Sequence, residues 1–497
     1  MGDLIGIGLS GLSVTGNNVS NTNTPGYSRQ EAVFVDNQSQ LTGAGYLGQG
    51  ATTDTIRRHA ETFITEQVRS DTTVYSEREA VLNQAEAIDN LLASTTTGLT
   101  PAMSAFFQAF QGAADDPTSI PQRQLLLTQT EGLASRFHSL DERLNSQKAT
   151  IDAELEASVA AINSLSLGLA ELNQSITLAI SAGQGDSPNQ LLDARDETLR
   201  ELSEYVSVSA FSTGNDGGIS VFIGNGQPLV LGNEAAQLGI EPSDSDSERK
   251  EVTMVANGRS QVVSEQLSGG KIGGLLDFRN NELSSAINSL GRISLVLADT
   301  VNDQHALGMD LEDNLGGPFF TAVNQADLAQ ARVTANSSNV HPQDHVMQVN
   351  ILDATELTID DYELRFEGPS DNDFTITRAG NSEVVIKGLL PGIFPANVEV
   401  EGFQVQFDSG TFKVGDRFLI KPTENGAENM QVQIDRVEAI ALAAPIRADA
   451  TIGNTGNGAI SLGKMLDVDS PLTNARLDIF ANEGVLSPPL EIEFLTD

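Results

Sequence analysis

Residues 125–180 read LLLTQTEGLASRFHSLDERLNSQKATIDAELEASVAAINSLSLGLAELNQSITLAI. Leu133, Phe137, Leu140, Leu144, Ile151, Leu155, Val159, Ile162, Leu165, Leu169, Leu172, Ile176 and Ile180 follow in steps of three and four, with one step of seven. This spacing lays the apolar side chains along one seam of a helix, in the manner of a coiled coil sustained over many turns. A continuous helix here is about 90 Å long at about 1.5 Å per residue. A rod of that length is first a structural element.

Outward from the rod, two more long helical stretches are expected. Residues 63–92 place Val81, Ala85, Ile88 and Leu92 in 4-3-4 steps, and residues 272–301 carry Leu276, Leu283, Ile287, Leu290, Leu297 and Val301. Asp115-Asp116-Pro117-Thr118 breaks the pattern ahead of the rod, and Pro121 suits the first turn of a new helix. A short helix over 189–206 leads into a β segment, where Ser220–Ile223, Gly224-Asn225-Gly226 and Pro228–Leu231 read as a hairpin. After a polar loop at 243–250, Val252–Val255 and Ser260–Val263 read as a strand pair. From about 344 to 434 strands and turns dominate, at 361–366, 374–378, 403–407 and 418–420. A helix-like piece over 437–444 follows, then a Gly/Asn-rich loop at 453–458 and a last strand-like tract, Leu490-Glu491-Ile492-Glu493-Phe494.

The expected fold class is α+β and multidomain: a long coiled-coil-like helical bundle with a small β insertion, plus a separate β-rich outer domain. The expected boundaries are an axial helix and extended arm over 1–57, and a long-helix bundle over 58–322 with its β insertion at about 207–263. A β-rich outer domain over 323–434 and a return segment with the start of an incomplete β unit over 435–497 complete the chain.

The N-terminal segment spaces Ile5, Leu9, Leu12 and Val19 as on a helix but contains Gly6, Gly8, Gly11 and Gly16. Each interior glycine costs about 0.5–1 kcal/mol relative to alanine, so this helix is weak alone and needs a partner surface. The run from Asn17 to Tyr27, rich in Asn and Thr and ending in Pro25-Gly26-Tyr27, is a helix stop. Extended arms follow at 30–35 and 52–58.

Composition narrows the function. The 497 residues carry 28 basic and 68 acidic side chains, a formal net charge of −40, and neither Cys nor Trp. Such an acidic chain is a poor ligand for nucleic acid or an anionic membrane, because phosphate attraction dominates that affinity. Without Cys there is no disulfide framework, thiolate nucleophile or Cys-type zinc site. A hydrophobic share of 39 % suffices for sizeable cores, so folded domains with an acidic surface are expected rather than disorder. No window approaches eighteen uninterrupted apolar residues, so no membrane insertion is expected. Met1-Gly2-Asp3-Leu4-Ile5 lacks the basic and apolar regions of a cleavable signal.

Chemistry is scarcely advertised. His341 and His345 flank Pro342 in a linker and read as solvated loop residues rather than metal ligands. The stretch from Asp310 to Gly316 lacks the ligand order of a calcium loop and its closing Glu. Asp193, Arg195, Asp196 and Glu197 are spaced like ion pairs on a helix face. There is no GxSxG, Walker loop or Rossmann fingerprint. No catalytic residue, cofactor or metal is expected, and the chain does not read as an enzyme.

The segment from Gly8 to Gln30, with its run Asn17-Asn18-Val19-Ser20-Asn21-Thr22-Asn23-Thr24-Pro25-Gly26-Tyr27, resembles the start of bacterial flagellar axial proteins. Ser187-Pro188-Asn189-Gln190-Leu191-Leu192-Asp193-Ala194-Arg195-Asp196 and Gly273-Gly274-Leu275-Leu276-Asp277-Phe278-Arg279 narrow the likeness to the flagellar hook-associated protein 1 family. The resemblance is strong over about residues 1–310. It implies a non-enzymatic structural subunit that joins hook to filament, secreted by type III export without signal cleavage and located outside the cell. It also implies as partners the hook protein, the second hook–filament junction protein, copies of itself in a ring, and an export chaperone engaged in the family through the C-terminal region. Leu4, Ile5, Leu9 and Leu12 are then expected to pair with other helices at the assembly interface, and Asn18, Asn21, Pro25, Gly26 and Tyr27 to form its turn. Asn189, Leu191, Leu192, Asp193, Arg195 and Asp196 carry the family motif. Against the family pattern the first helix reads as about two turns short after Leu12, and the sequence stops at Asp497 before the family's closing amphipathic helix, as expected of a fragment, of a disrupted reading frame or of a chain without the inner-tube pairing. The alternative function is a secreted coiled-coil adhesin or binding module with a β-domain ligand surface.

Overall fold

The computed structural model describes residues 2–43, 45–92, 98–182, 187–214, 216–256, 258–445 and 465–467, with side chains from Ile7 onward except those of Thr42, Leu47, Leu91, Leu92 and Ala256. The expected loop at 453–458 and strand at 490–494 lie outside the described residues, as do the side chains of Leu4 and Ile5.

In chain order, helix α1 (Gly2–Ser20) precedes strands β1 (Gln30–Asp36), β2 (Gln40–Thr42), β3 (Gly45–Leu47) and β4 (Ala51–Arg58). Helices α2 (Thr62–Leu92), α3 (Leu99–Asp115), α4 (Ile120–Ala182) and α5 (Asn189–Tyr205) follow. The seam at 125–180 thus lies within one unbroken helix of 63 residues, opened by Ile120 with Pro121 in its first turn. Strands β5 (Val208–Ser212), β6 (Ile219–Ile223), β7 (Gln227–Leu231), β8 (Glu234–Ala235), β9 (Leu238–Pro242), β10 (Lys250–Ala256) and β11 (Arg259–Val262) lead to α6 (Gly270–Phe278). Then come α7 (Ser284–Ala306), α8 (Ala326–Ala331), β12 (Val333–Ala335), β13 (Val346–Ile351), β14 (Tyr362–Phe366) and β15 (Asp373–Arg378). The last strands are β16 (Val384–Leu389), β17 (Ala396–Val400), β18 (Phe403–Ser409) and β19 (Arg417–Ile420).

These elements gather into two compact units. The first comprises residues up to 86, 149–243 and 247–279; the second comprises 87–148, 244–246 and the residues from 280. In the first unit Ile151, Leu155, Val159, Ile162, Leu169 and Ile176 of the seam are buried. Two asparagines on α4 stitch the β insertion to it. Asn163 pairs through its amide with both backbone groups of Leu238, and Asn173 donates to the carbonyls of Ile219 and Gly232. The insertion forms a four-stranded antiparallel sheet, β5-β6-β7-β8, and a three-stranded one, β9-β10-β11. The β6–β7 hairpin turns at Gly224-Asn225-Gly226, where both glycines take positive φ.

In the second unit a five-stranded sheet, β12-β19-β14-β15-β16, faces a three-stranded one, β13-β18-β17. Phe366 and Phe418 of the first sheet meet Phe407 of the second and Phe412 beside it, with ring centroids 4.9–6.5 Å apart. The alternating buried pattern along β14 and β18 supplies this core, as period-2 strands must.

Helix α3 was not among the expected elements, and the structure departs from the expectations at two further elements and one side chain. The helix expected over 272–301 is broken by a π-helical stretch at Arg279–Leu283, where buried Arg279 donates to the Lys250 carbonyl and lies 3.7 Å from both Asp152 and Glu251. Over 437–444 only Val437–Ala439 makes a single 3₁₀ turn. Its carbonyls are taken by Arg123 rather than by the next turn of a helix. His345, expected in solvent, has a side chain 3 % exposed, packed on Phe412 and Phe418 and 3.4 Å from Asp416.

Candidate assembly site

Helix α1 forms despite its glycines because it rests on the β1–β4 hairpin and buries Val14 there. Leu9, Leu12 and Val19 remain 60 %, 69 % and 71 % exposed, so the apolar spacing of the helix is only partly used within the chain. At the C-terminal end, side chains take the carbonyls that a helix leaves orphaned. Asn21 donates to the Asn17 carbonyl (3.0 Å) and Thr22 to those of Asn18 and Val19 (both 3.0 Å). Two successive turns follow, Thr24 N–H to Asn21 O and Tyr27 N–H to Thr24 O, with exposed Pro25 between them. Gly26 adopts φ +74°, and a Cβ there would lie 2.7 Å from the Cβ of Glu197 on α5. Glycine is required on both grounds.

Asn18 ties helix, turn and arm together. Its Oδ1 accepts from the Gln30 N–H (2.8 Å) and from the Tyr27 hydroxyl (2.9 Å), while its Nδ2 donates to the Gln30 carbonyl (2.9 Å). The amide thus stands in for a strand partner at the first residue of β1.

The second half of the site comes from α5. Asp193, 6 % exposed, accepts from the Ser28 N–H (3.1 Å) at one oxygen and from Arg58 Nη1 (3.0 Å) at the other. The same Arg58 nitrogen reaches Asp196 at 2.8 Å. Asn189 donates to the Ile56 carbonyl of β4 at 2.5 Å. Arg58 pairs in register with Gln30 across the β1–β4 ladder, so the turn and both arms are pinned to one face of α5. Arg195 turns elsewhere, donating to the Gly217 carbonyl (2.6 Å), while Leu191 and Leu192 are half-buried. Burial, and then the Asp193 charge, raise the Tyr27 hydroxyl above its ordinary pKa, and burial lowers that of Arg195.

Of the residues singled out from sequence, the structure brings Asn18, Asn21, Gly26, Tyr27, Asn189, Asp193 and Asp196 into one knot. Leu9 and Leu12 stand outside it on the open face of α1, and Leu4 and Ile5 lie on its first turns. Arg58, Ser28 and Gln30 complete the knot and carry no local signal, because their partners lie 12 to 165 residues away. The knot can hold and orient: Asn18, Asp193 and Asp196 spend their polar groups on the turn and arms. Asp310 accepts from the N–H groups of Glu312 and Asn314, and among the described residues no three His, Asp or Glu converge as a metal site.

Residues 66–320 match the family model described as the flagellar hook-associated protein FlgK helical domain. Flagellar hook-associated protein 1 of Salmonella typhimurium is 32 % identical over 467 residues, covering 92 % of this chain and 81 % of that protein. Its Escherichia coli counterpart is 31 % identical over 472 residues, covering 93 % and 83 %. The solved structure of the flagellar hook junction protein FlgK from Burkholderia pseudomallei superposes with a TM-score of 0.72 at 29 % identity, over 80 % of this chain and 70 % of that one. With the rod, the β insertion and the β-rich unit all in place, this chain belongs to the flagellar hook-associated protein 1 (FlgK) family.

Proposed function

We propose that this family member, a structural protein of the flagellar hook–filament junction, works without catalysis by presenting α1 from a rigid base. The observation that carries the reading is the pairing of an exposed apolar stripe, Leu9, Leu12 and Val19, with a half-buried polar knot, centred on buried Asp193, at the root of the same helix. Apolar side chains left in water gain free energy by packing on a neighbour, at about 25 cal/mol per Å² buried. A fixed root limits the orientational freedom lost when they do so. Leu4, Ile5, Leu9 and Leu12 then serve helix pairing, and Asn18, Asn21, Pro25, Gly26 and Tyr27 set the exit angle. Within the motif Asn189, Asp193 and Asp196 are the socket for the turn and arm, while Arg195 ties the same helix to Gly217. The partners in this reading are the hook protein, the second junction protein and further copies of the chain in a ring, outside the cell after type III export. An export chaperone belongs to the same reading.

The test is complementation of a strain lacking its own hook-associated protein 1, with filament attachment scored by electron microscopy. The full chain is expected to restore filaments, and deletion of residues 2–27 to abolish them. Equal attachment with and without residues 2–27, or none with the full chain, overturns the proposal. The adhesin alternative, in which the same deletion leaves ligand binding intact, has no support in the comparisons.

A further inference from the structure

His305, near the C-terminal end of α7, is 2 % exposed, and both its ring nitrogens are engaged by backbone. Nδ1 lies 2.7 Å from the Gly317 carbonyl, and the Ala441 N–H donates to Nε2 at 2.8 Å. A carbonyl can only accept and an amide N–H can only donate. The imidazole is therefore neutral, with its hydrogen on Nδ1 and its lone pair on Nε2.

What His305 grips is the segment over 437–443. Arg123 of α4, fully buried, donates from Nη1 to the carbonyls of Val437 (3.0 Å) and Ile440 (2.6 Å). Met309 and Ala443 exchange backbone hydrogen bonds at 2.8 and 3.2 Å. Gly308 permits the approach, since a Cβ there would meet the Ala441 carbonyl oxygen at 2.7 Å. Only the Ala441 bond requires a lone pair on a titratable atom.

We infer that His305 is a proton-operated clasp: the neutral ring helps to hold the segment over 437–443, and a proton taken from solvent onto Nε2 expels the Ala441 N–H and loosens the segment there. The charged groups around the clasp are Asp310 on the loop after α7, Glu438 on the segment itself and Arg123 on α4. The edge of the ring packs on Phe319, which adds only apolar surface. Burial pushes the His305 pKa below its ordinary value, outweighing the Gly317 carbonyl and the Asp310 charge. The sign follows. At pH values above that of a free histidine, about 6.5, the clasp is at full strength. Below it the opened form takes up the proton that the closed form refuses, so stability falls until the closed form titrates too.

The test uses the full chain. Imidazole ¹⁵N NMR at pH 7.5 is expected to show the Nδ1–H tautomer and, on titration, a midpoint below about 6.5. Hydrogen exchange at Ala441, corrected for intrinsic rates, is expected to accelerate by up to about tenfold per pH unit within that window. His305→Gln, whose amide both donates and accepts, is expected to exchange with no such pH dependence. Should that variant fail to fold, the wild-type NMR and exchange decide alone. An Nε2–H tautomer, a midpoint above about 6.5, or exchange at Ala441 that stays flat from pH 7.5 to 4.5 overturns the inference.

Discussion

Asp193 is an acidic side chain almost out of reach of water, and it is held by one guanidinium and one backbone N–H. Removing one member of such a pair costs more than the pair contributes, because the other charge stays buried alone. Arg58→Ala is therefore expected to weaken the root of α1 by about 3 kcal/mol. Hydrogen exchange at Ser28 and Gln30 should then accelerate about 100-fold, while residues of the β-rich unit exchange as before. Unchanged exchange at Ser28 would show that the knot does not depend on Arg58. The composition of this site was legible in the sequence: the cap and turn formers from Asn17 to Tyr27 stop a helix by their own chemistry. The partners were not. Asp193, Arg195 and Asp196 read as a local ion-pair face, yet Asp193 takes its cation from 135 residues upstream and Arg195 serves a carbonyl. His345 likewise looked solvated until Phe412 and Phe418 folded over it.

At the scale of elements, α1 is a helix kept weak by composition. Gly8 and Gly16 have nothing within 4 Å of the position a Cβ would take, so alanine is sterically free at both. Gly8→Ala and Gly16→Ala should each stabilise the helix by about 0.5–1 kcal/mol. The expected readout is hydrogen exchange in α1 slowed about two- to fivefold by each, against no change in α4; faster exchange in α1 would refute the prediction. Helix α4 was legible from 125 to 180 because a seam in steps of three and four is a property of local sequence. Strands such as β14 and β18 were legible for the same reason, with period two. The π-helical stretch at Arg279–Leu283 was not, since the partners of Arg279 sit on β10 and α4. Nor was the single turn at Val437–Ala439, whose carbonyls are claimed by an arginine more than 300 residues away in sequence.

Across the whole molecule, charge is the dominant sequence-level quantity. With 68 acidic against 28 basic side chains, the folded units repel themselves at low ionic strength. Added salt shortens the screening length from about 30 Å at 0.01 M to about 8 Å at 0.15 M. Calorimetric unfolding midpoints should therefore rise by a few degrees across that range. A fall would mean that ion pairs such as Arg58–Asp193 outweigh the repulsion. Composition, helical and strand periodicity, the helix stop at the Asn/Pro/Gly run and the family likeness were all readable along the chain, because each depends on neighbours a few residues apart. Which arginine answers Asp193, which side chain stands in for a strand partner at Gln30, and which histidine clasps Ala441 were settled only on folding. Those choices depend on desolvation and hydrogen-bond geometry between residues that only the packed chain brings together.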